Sequence, residues 1–423
     1  MKHVIIGNGP AGVVAAEALR RADASADIVM IGDEPERPYS RMAIPYLLVG
    51  NIEEKGTWLR KTDGHFESLR IREVLGRATS VDTASRTVHL EDGTALPYDR
   101  LLICTGSHPL RLPVPGIDSP NVHSCWTLED ARHIAAKAKK GARVLQIGAG
   151  FIGCIIMEAL ASRGVKLDIV EMGDRMVPRM MTSKAGSMIA RWVEQKGVTV
   201  HTKARVTAIR QDGDALVATL GDGKEVVADL IIAAAGVKPN VAFLEGSGVA
   251  CATGILIDER CETNVPGVFA AGDVAEAIDF STGERLVNAI QPNAVDQGRI
   301  AAMNMAGRST QSQGTMAINV LDTLGLISAS FGQWWGADGG DAVEMIDDKR
   351  FRYISLQFKE DVLVGATSIG LTDHVGVLRG LIQTRTPLGT WKERLMQDPL
   401  RVMEAYLSSA QAQSAAPIAG VAH

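Results

Sequence analysis

A short glycine-rich pattern occurs twice in this chain, and its two copies constrain the fold more than any other feature. The first copy is Gly7-Asn8-Gly9-Pro10-Ala11-Gly12. It is entered from the apolar run Lys2–Ile6 and followed by an alanine-rich stretch to about Arg21, then by a second run, Asp27–Ile31, that reaches Asp33. The second copy is Gly148-Ala149-Gly150-Phe151-Ile152-Gly153. It is entered from Arg143–Ile147 and followed by a helical stretch to about Arg163 and the run Lys166–Val170, ending at Glu171. Strand, glycine turn, helix and strand at this spacing form a right-handed β-α-β unit on a parallel sheet. The first glycine permits the tight bend, the second lets backbone approach a pyrophosphate, and the third lets the helix pack close to the strand. The phosphate then rests on unpaired N–H groups at the positive end of the helix dipole. A carboxylate roughly 20–25 positions further on accepts hydrogen bonds from a ribose. Each half is therefore expected to bind one dinucleotide.

The remainder of each half repeats as well. Arg77–Val81 and Arg86–Leu90 alternate apolar and polar residues before a turn at Asp92-Gly93, as Arg205–Arg210 and Leu216–Leu220 do around Asp212-Gly213 and Asp222-Gly223. Such alternation predicts antiparallel meanders. Each meander leads to an apolar strand that runs into glycine, Leu101–Gly106 and Leu230–Gly236. Leu110–Pro120 is proline-rich and reads as an inter-domain link. Thr127-Leu128-Glu129-Asp130 reads as a helix start with Gly141 as its stop. Asn264–Asp273 predicts a short strand that presents Asp273 from a glycine turn, with a helix following over about 294–305. Strand-like Phe351–Phe358 and Val362–Ile369 and a helical end, Leu388–Leu407, predict a further domain. The expected class is α/β, with two Rossmann-like dinucleotide-binding domains and a C-terminal α+β domain. The expected boundaries are 1–113 and 241–310 for the first nucleotide domain, 114–240 for the second, 311–408 for the C-terminal domain, and a small, polar, disordered tail over 409–423.

Several function classes are disfavoured. The chain has 423 residues, 46% hydrophobic and 22% charged, enough for two or three domains with a sizeable core. A net charge of −5 gives no electrostatic reason to expect a nucleic acid or an anionic membrane as partner. The apolar opening at Val4 is interrupted by the glycine turn that cleavage would destroy, so it does not read as a signal peptide. Val144–Leu160 contains Gln146, three glycines and Glu158 and is too short to span a bilayer. A cytoplasmic protein is expected. Cys104, Cys125, Cys154, Cys251 and Cys261 form neither a C-x-x-C nor a C-x-x-x-x-C pair, which removes a redox disulfide. His374 has no companion ligands at metal spacing, so no metal is assigned.

Particular residues point to particular chemistry. A carboxylate at Glu171 would accept hydrogen bonds from the 2′-hydroxyl of NAD and repel the 2′-phosphate of NADP, while nearby Arg175 argues the other way. The acid occupies the strand end itself, so NAD is expected. The Asp273 turn reaches back to the first nucleotide and suits FAD, which is long and permanently held; the alternative is a capping aspartate. Phe151, inside the second turn, could cover the flavin as a nicotinamide gate or serve as an ordinary core residue.

The ordered set GNGPAG, ICTG, GAGFIG, AAAG and GVFAAGD resembles the pyridine nucleotide–disulfide oxidoreductase superfamily over roughly residues 1–310. Arg37–Pro45, with Pro38-Tyr39-Ser40-Arg41, is similar to the flavin-proximal segment of ferredoxin, rubredoxin and nitrite reductase flavoproteins. The resemblance implies FAD contacts from Gly7, Gly9, Ala11, Gly12, Asp33, Arg41, Ala78, Thr105, Gly106 and Asp273. It implies NAD contacts from Gly148, Gly150, Phe151, Ile152, Gly153, Glu171 and Gly236. Two positions depart from the family. Ile155 stands where a glutamate is frequent, and Tyr46 where ferredoxin reductases have lysine. Hydride transfer needs nicotinamide and flavin stacked in reach rather than an acid or base, so no acid–base residue is assigned.

The opening MKHVIIGNGPAGVVAAE, Pro38–Leu48 and the C-terminal Arg385–Pro399 further resemble the NADH-linked flavoprotein subunits of multi-subunit 2-oxoacid oxidoreductases. That resemblance implies iron–sulfur and thiamine-diphosphate partner subunits, with the clusters on the partners. A free-standing NADH reductase of rubredoxin or ferredoxin, an NADH oxidase and a flavin redox sensor are the alternatives. Trp334-Trp335 and Trp391, with Arg379, Arg385, Lys392 and Arg394, read either as a partner surface or as core and solvated helix face.

Overall fold

A computed structural model describes residues 1–415, and residues 416–423 of the expected tail lie outside the described residues. The helix Val402–Ala415 carries the chain past Ser408, where disorder was expected to begin. The chain divides into two compact units. The first comprises Met1–Leu112, Ser124–Lys137 and Ala235–Met316, and the second comprises Pro113–His123, Ala138–Ala234 and the chain from Ala317.

The first unit is built on a parallel sheet in the order Val268–Ala270, Arg100–Ile103, Lys2–Ile6, Asp27–Gly32, Ile71–Leu75. Its central strands are almost wholly buried. The helix Pro10–Ala22 packs on the helix Gln291–Met305 so closely that a Cβ on Gly298 would lie 2.5 Å from the Ala11 carbonyl oxygen. The meander is a three-stranded antiparallel sheet, Ala78–Asp82, Thr87–Leu90 and Ala95–Pro97.

The second unit repeats the plan. Its parallel sheet runs Thr199–His201, Lys166–Val170, Arg143–Ile147, Leu230–Ala233, Val122–His123, and its meander is Val206–Asp212, Ala215–Leu220 and Glu225–Ala228. The C-terminal region adds an antiparallel sheet ordered Ile318–Thr323, Leu326–Gly332, Val362–Ile369, Arg352–Lys359, Asp341–Asp347.

Two boundaries differ from those expected. Ser124–Lys137 belongs with the first unit, because Trp126 donates its indole N–H to the Ser107 carbonyl and Arg132 pairs with Glu36 and Glu54. Thr127 and Asp130 cap this helix, Leu128–Lys137, reciprocally, and it stops before Gly141. The C-terminal sheet is not a separate body. It shares a unit with the second nucleotide fold, bound by contacts such as Thr182–Tyr353, Trp192 to the Leu324 carbonyl, and Arg191–Asp348. Trp334 is buried and Trp335 exposed, edge to face at 5.5 Å. Lys392 pairs with Asp341, and Arg394 lies over the Trp391 ring at 4.6 Å. Among the described residues, no helix is long and apolar enough to cross a membrane.

Candidate functional site

Strand Lys2–Ile6 is flanked by Asp27–Gly32 on one side and Arg100–Ile103 on the other. The order of strands reverses there, and the carboxyl end at such a reversal is the usual ligand position in open α/β sheets. The glycines of the first turn have different physical reasons. Gly7 has φ +112°, and a Cβ there would lie 2.1 Å from the Cys104 carbonyl oxygen; at Gly12 a Cβ would lie 2.0 Å from the Gly7 oxygen. The chain itself forbids a side chain at both. Gly9 has φ −73°, and a Cβ there would meet nothing within 4 Å. Only something outside the chain gains from its bareness. No side chain caps the following helix, and Pro10 at its first position has no N–H to offer.

Around this turn the first unit assembles residues from distant segments. Arg41 donates to Glu34, to the Tyr39 hydroxyl at 3.0 Å and to the Trp126 carbonyl at 2.8 Å. Its guanidinium also lies over the Tyr39 and Trp126 rings. Trp126 donates to the Ser107 carbonyl at 3.1 Å, and the Ser107 hydroxyl donates to Asp273 at 3.3 Å. Burial pushes the Asp273 carboxyl up, opposed by Ser107 and by the charge of Arg41. A strand, Ala275–Ile278, follows Asp273 rather than a helix, so the capping alternative is removed. Thr105 and Asn240 hold each other, Thr105 Oγ1 to the Asn240 carbonyl at 2.9 Å and Asn240 Nδ2 to the Thr105 carbonyl at 2.7 Å, and the Asn240 N–H bonds the carbonyl of Gly106. Ala78 begins the meander, half-buried, and Tyr46 is 59% exposed.

Asp33 is not the counterpart of Glu171. The Gly7 N–H bonds the Ile31 carbonyl as the Gly148 N–H bonds that of Val170, so Gly32 matches Glu171 and Asp33 lies one residue further, exposed. The side chain of Asn8 fills the place over Gly32, where a Cβ would lie 2.2 Å from its Nδ2.

The second turn, at the carboxyl end of Arg143–Ile147 between Lys166–Val170 and Leu230–Ala233, has the same backbone. Gly148 has φ +104°, and Gly150, at φ −74°, again faces open space within 4 Å. The helix Phe151–Ser162 begins uncapped, with Phe151 and Ile152 half-buried rather than core residues. Glu171 is buried, and its two oxygens accept the Ala149 and Gly173 N–H groups, each at 2.7 Å. The Ala149 carbonyl in turn accepts the Val177 N–H at 2.8 Å. Val177 is held at φ +44°, which a β-branched residue adopts only under constraint. Arg175 is engaged with Asp174, Ser183 and the carbonyls of Pro178 and Met181. Ile155 is half-buried. One turn on, burial and then Asp322 push the Glu158 carboxyl up. Gly236 does not join this group; it falls in the first unit, where its carbonyl accepts the Leu110 N–H.

Sequence reasoning missed Glu34, Trp126, Ser107, Asn240, Gln146 and Val177. Only Glu34, beside Asp33, had a local signal. All five cysteines are unbonded, and burial pushes the thiols of Cys125, Cys154 and Cys261 up to about 12, and Cys104 higher still. None is set up as a thiolate. Among the described residues, no group of three potential metal ligands occurs.

Two β-α-β units, each with a glycine turn opening an uncapped helix, define a paired-dinucleotide flavoprotein fold. Residues 1–298 match the sequence profile of the pyridine nucleotide-disulphide oxidoreductases, and the chain belongs to that family. FAD and NAD(H) are its cofactors, and it is an FAD-dependent NAD(H) oxidoreductase. The chain is 32% identical over 96% of its length, and 97% of the relative's, to the NADH-dependent phenylglyoxylate dehydrogenase subunit epsilon of Aromatoleum evansii. It is 31% identical to the NADH oxidase of Methanocaldococcus jannaschii over 73% of its length and 70% of that protein's. The covalent putidaredoxin reductase–putidaredoxin complex contains a chain of the same fold, with TM-score 0.89 and 23% identity over 97% of this chain and 99% of that one.

Proposed function

We propose that the chain is the FAD-bearing electron-transfer subunit of a multi-subunit 2-oxoacid oxidoreductase of the phenylglyoxylate dehydrogenase kind, which forms benzoyl-CoA and CO2. It passes electrons between NAD(H) and iron–sulfur subunits that serve a thiamine-diphosphate subunit. The observation that carries this reading is identity held over the whole length. The similarity to the epsilon subunit extends over 410 residues at 32% identity, through the C-terminal sheet that the family profile leaves out, whereas a dioxygenase ferredoxin–NAD(+) reductase component is 28% identical over 389 residues and the NADH oxidase matches over only 318.

In this reading the first turn holds FAD. Gly7 and Gly12 shape the turn and Gly9 and Ala11 lie against the pyrophosphate, with Asp33, Ala78, Thr105 and Gly106 along the cofactor. Asp273 accepts from its sugar-alcohol chain, and Arg41, oriented by Glu34 and Trp126, closes the site. The second turn holds NAD through Gly148, Gly150, Phe151, Ile152 and Gly153, with Glu171 on the ribose. Phe151 shields the nicotinamide position until NAD(H) enters. Bound FAD supplies chemistry that side chains lack, exchanging hydride on one side and single electrons on the other.

Tagged chain recovered anaerobically from its native host should bring down iron–sulfur and thiamine-diphosphate proteins in fixed proportion. Recovery of the chain alone, turning over NADH rapidly with rubredoxin or O2, would instead support the second reading, a free-standing reductase or oxidase. That reading is favoured by the 31% identity to an NADH oxidase.

A further inference from the structure

Strand Arg143–Ile147 carries a residue out of keeping with its neighbours. Gln146 is 0% exposed, in a strand whose other buried residues are Val144, Leu145 and Ile147. Its Nε2 donates to the Gly148 carbonyl at 2.8 Å and to the Gly153 carbonyl at 2.9 Å, bridging the strand end to the first turn of the helix. Its Oε1 has no hydrogen-bond partner. A buried, unsatisfied amide oxygen is unfavourable. The matching residue of the first unit, two before its glycine turn, is Ile5, also fully buried and apolar. Packing alone does not require a glutamine here.

The two turns differ where this side chain intrudes. A Cβ built on Gly12 would lie 2.0 Å from the Gly7 oxygen, but one built on Gly153 would lie 2.5 Å from the Gly148 oxygen, with Gln146 Nε2 at 3.0 Å. The amide stands between helix start and strand end and holds them further apart. Both carbonyls it binds belong to the backbone that presents N–H groups at the strand's carboxyl end.

We propose that Gln146 is a positioning residue for the pyridine nucleotide. Its amide sets the separation of strand end and helix start, and so aims the N–H groups of Gly150–Gly153 at the pyrophosphate. This deepens the assignment of the second turn to NAD(H) and rests on it. Without the amide, the two carbonyls lose their shared donor and the turn relaxes toward the closer spacing of the first turn.

The test uses the full-length, flavin-loaded protein and the variant Gln146→Leu, which puts an apolar residue of similar size in place of the amide. KM for NADH and Kd for ADP-ribose should each rise about tenfold, about the contribution of one hydrogen bond. Turnover at saturating NADH should change less than about twofold. Adenosine, which has no phosphate, should bind as before, and flavin content and Tm should hold. Unchanged KM and ADP-ribose affinity would overturn the proposal. So would parallel loss of adenosine binding and Tm, which marks general damage. If Gln146→Leu does not fold, Gln146→Met keeps the length without the donor and is judged by the same outcomes. Failure of the unaltered protein to bind ADP-ribose would count against the NAD assignment itself and is told apart by that measurement.

Discussion

The two glycine turns have one backbone and opposite side-chain plans. In the first, the turn carries a polar side chain, Asn8, and the neighbouring strand ends in bare Gly32; in the second, the turn carries Ala149 and the strand ends in Glu171. The pair of positions is filled in both, from opposite sides. Pro10, which removes an N–H, matches Phe151, and Ile5 matches Gln146. What the turns share, uncapped helix starts and open space at Gly9 and Gly150, is what any pyrophosphate requires. In the proposed reading, what they exchange distinguishes the dinucleotide that each turn holds. Shared glycines therefore mark the class of ligand, and the residues beside them mark its identity.

The largest expected effects separate glycines the chain needs from glycines its ligand needs. Gly7→Ala places a Cβ against the Cys104 backbone at a φ of +112° and should destabilise the fold by about 4 kcal/mol or more, read as loss of soluble protein or of its unfolding transition. Gly9→Val, with space for its side chain, should keep flavin-free stability within about 0.5 kcal/mol yet purify without the flavin absorption band. Gly150→Val should keep the band but no longer bleach it anaerobically with NADH. If Gly150→Val loses flavin and Gly9→Val keeps it, the turns have been assigned the wrong way round.

The repeated β-α-β units were legible because their signal is local: an apolar run, a glycine turn and a helix of known length. The second strand Lys166–Val170 matches the expected bounds, and the helices end within a residue of them. The exchange of Asn8–Gly32 for Ala149–Glu171 was not legible, because Asp33 lies one residue beyond a position that only backbone hydrogen bonds define. Nor was the Arg41–Trp126–Ser107–Asp273 chain, whose members come from four separate segments. In the C-terminal sheet, Asp341–Asp347 has no fully buried residue, and its inner face carries only half-buried Val343 and Met345 beside Asp347, too weak a pattern to announce a strand.

A second difference between the halves is a titratable group. His3 is 1% exposed, with its Nδ1 unpartnered, where the second half has Val144. Burial, helped by the N-terminal charge and Arg100 and opposed by Asp23 and Asp99, lowers its pKa from 6.5 to about 4. The folded state thus resists a proton that the unfolded chain takes up. Stability should fall as pH drops from about 6.5 to about 4, by about 3 kcal/mol in all, and level off below. Urea midpoints followed from pH 7 to 4.5 should show this slope, and His3→Val should flatten it. An equal slope in the variant would place the titration elsewhere.

The smallest effect tests the exchanged carboxylate. Glu171 accepts two backbone N–H groups and, in the proposed complex, a ribose hydroxyl as well. Glu171→Gln keeps the shape but turns one acceptor into a donor facing an N–H, so one of these bonds is lost and the charge with it. NADH should bind roughly tenfold more weakly. NADPH should lose less, because a neutral amide no longer repels the 2′-phosphate, so the ratio of kcat/KM for the two should narrow. Flavin content should not move, since the first turn uses Gly32 at this place. An unchanged ratio would mean that Glu171 serves only to brace Ala149, and that the choice between NAD and NADP is made by residues other than the strand-end acid.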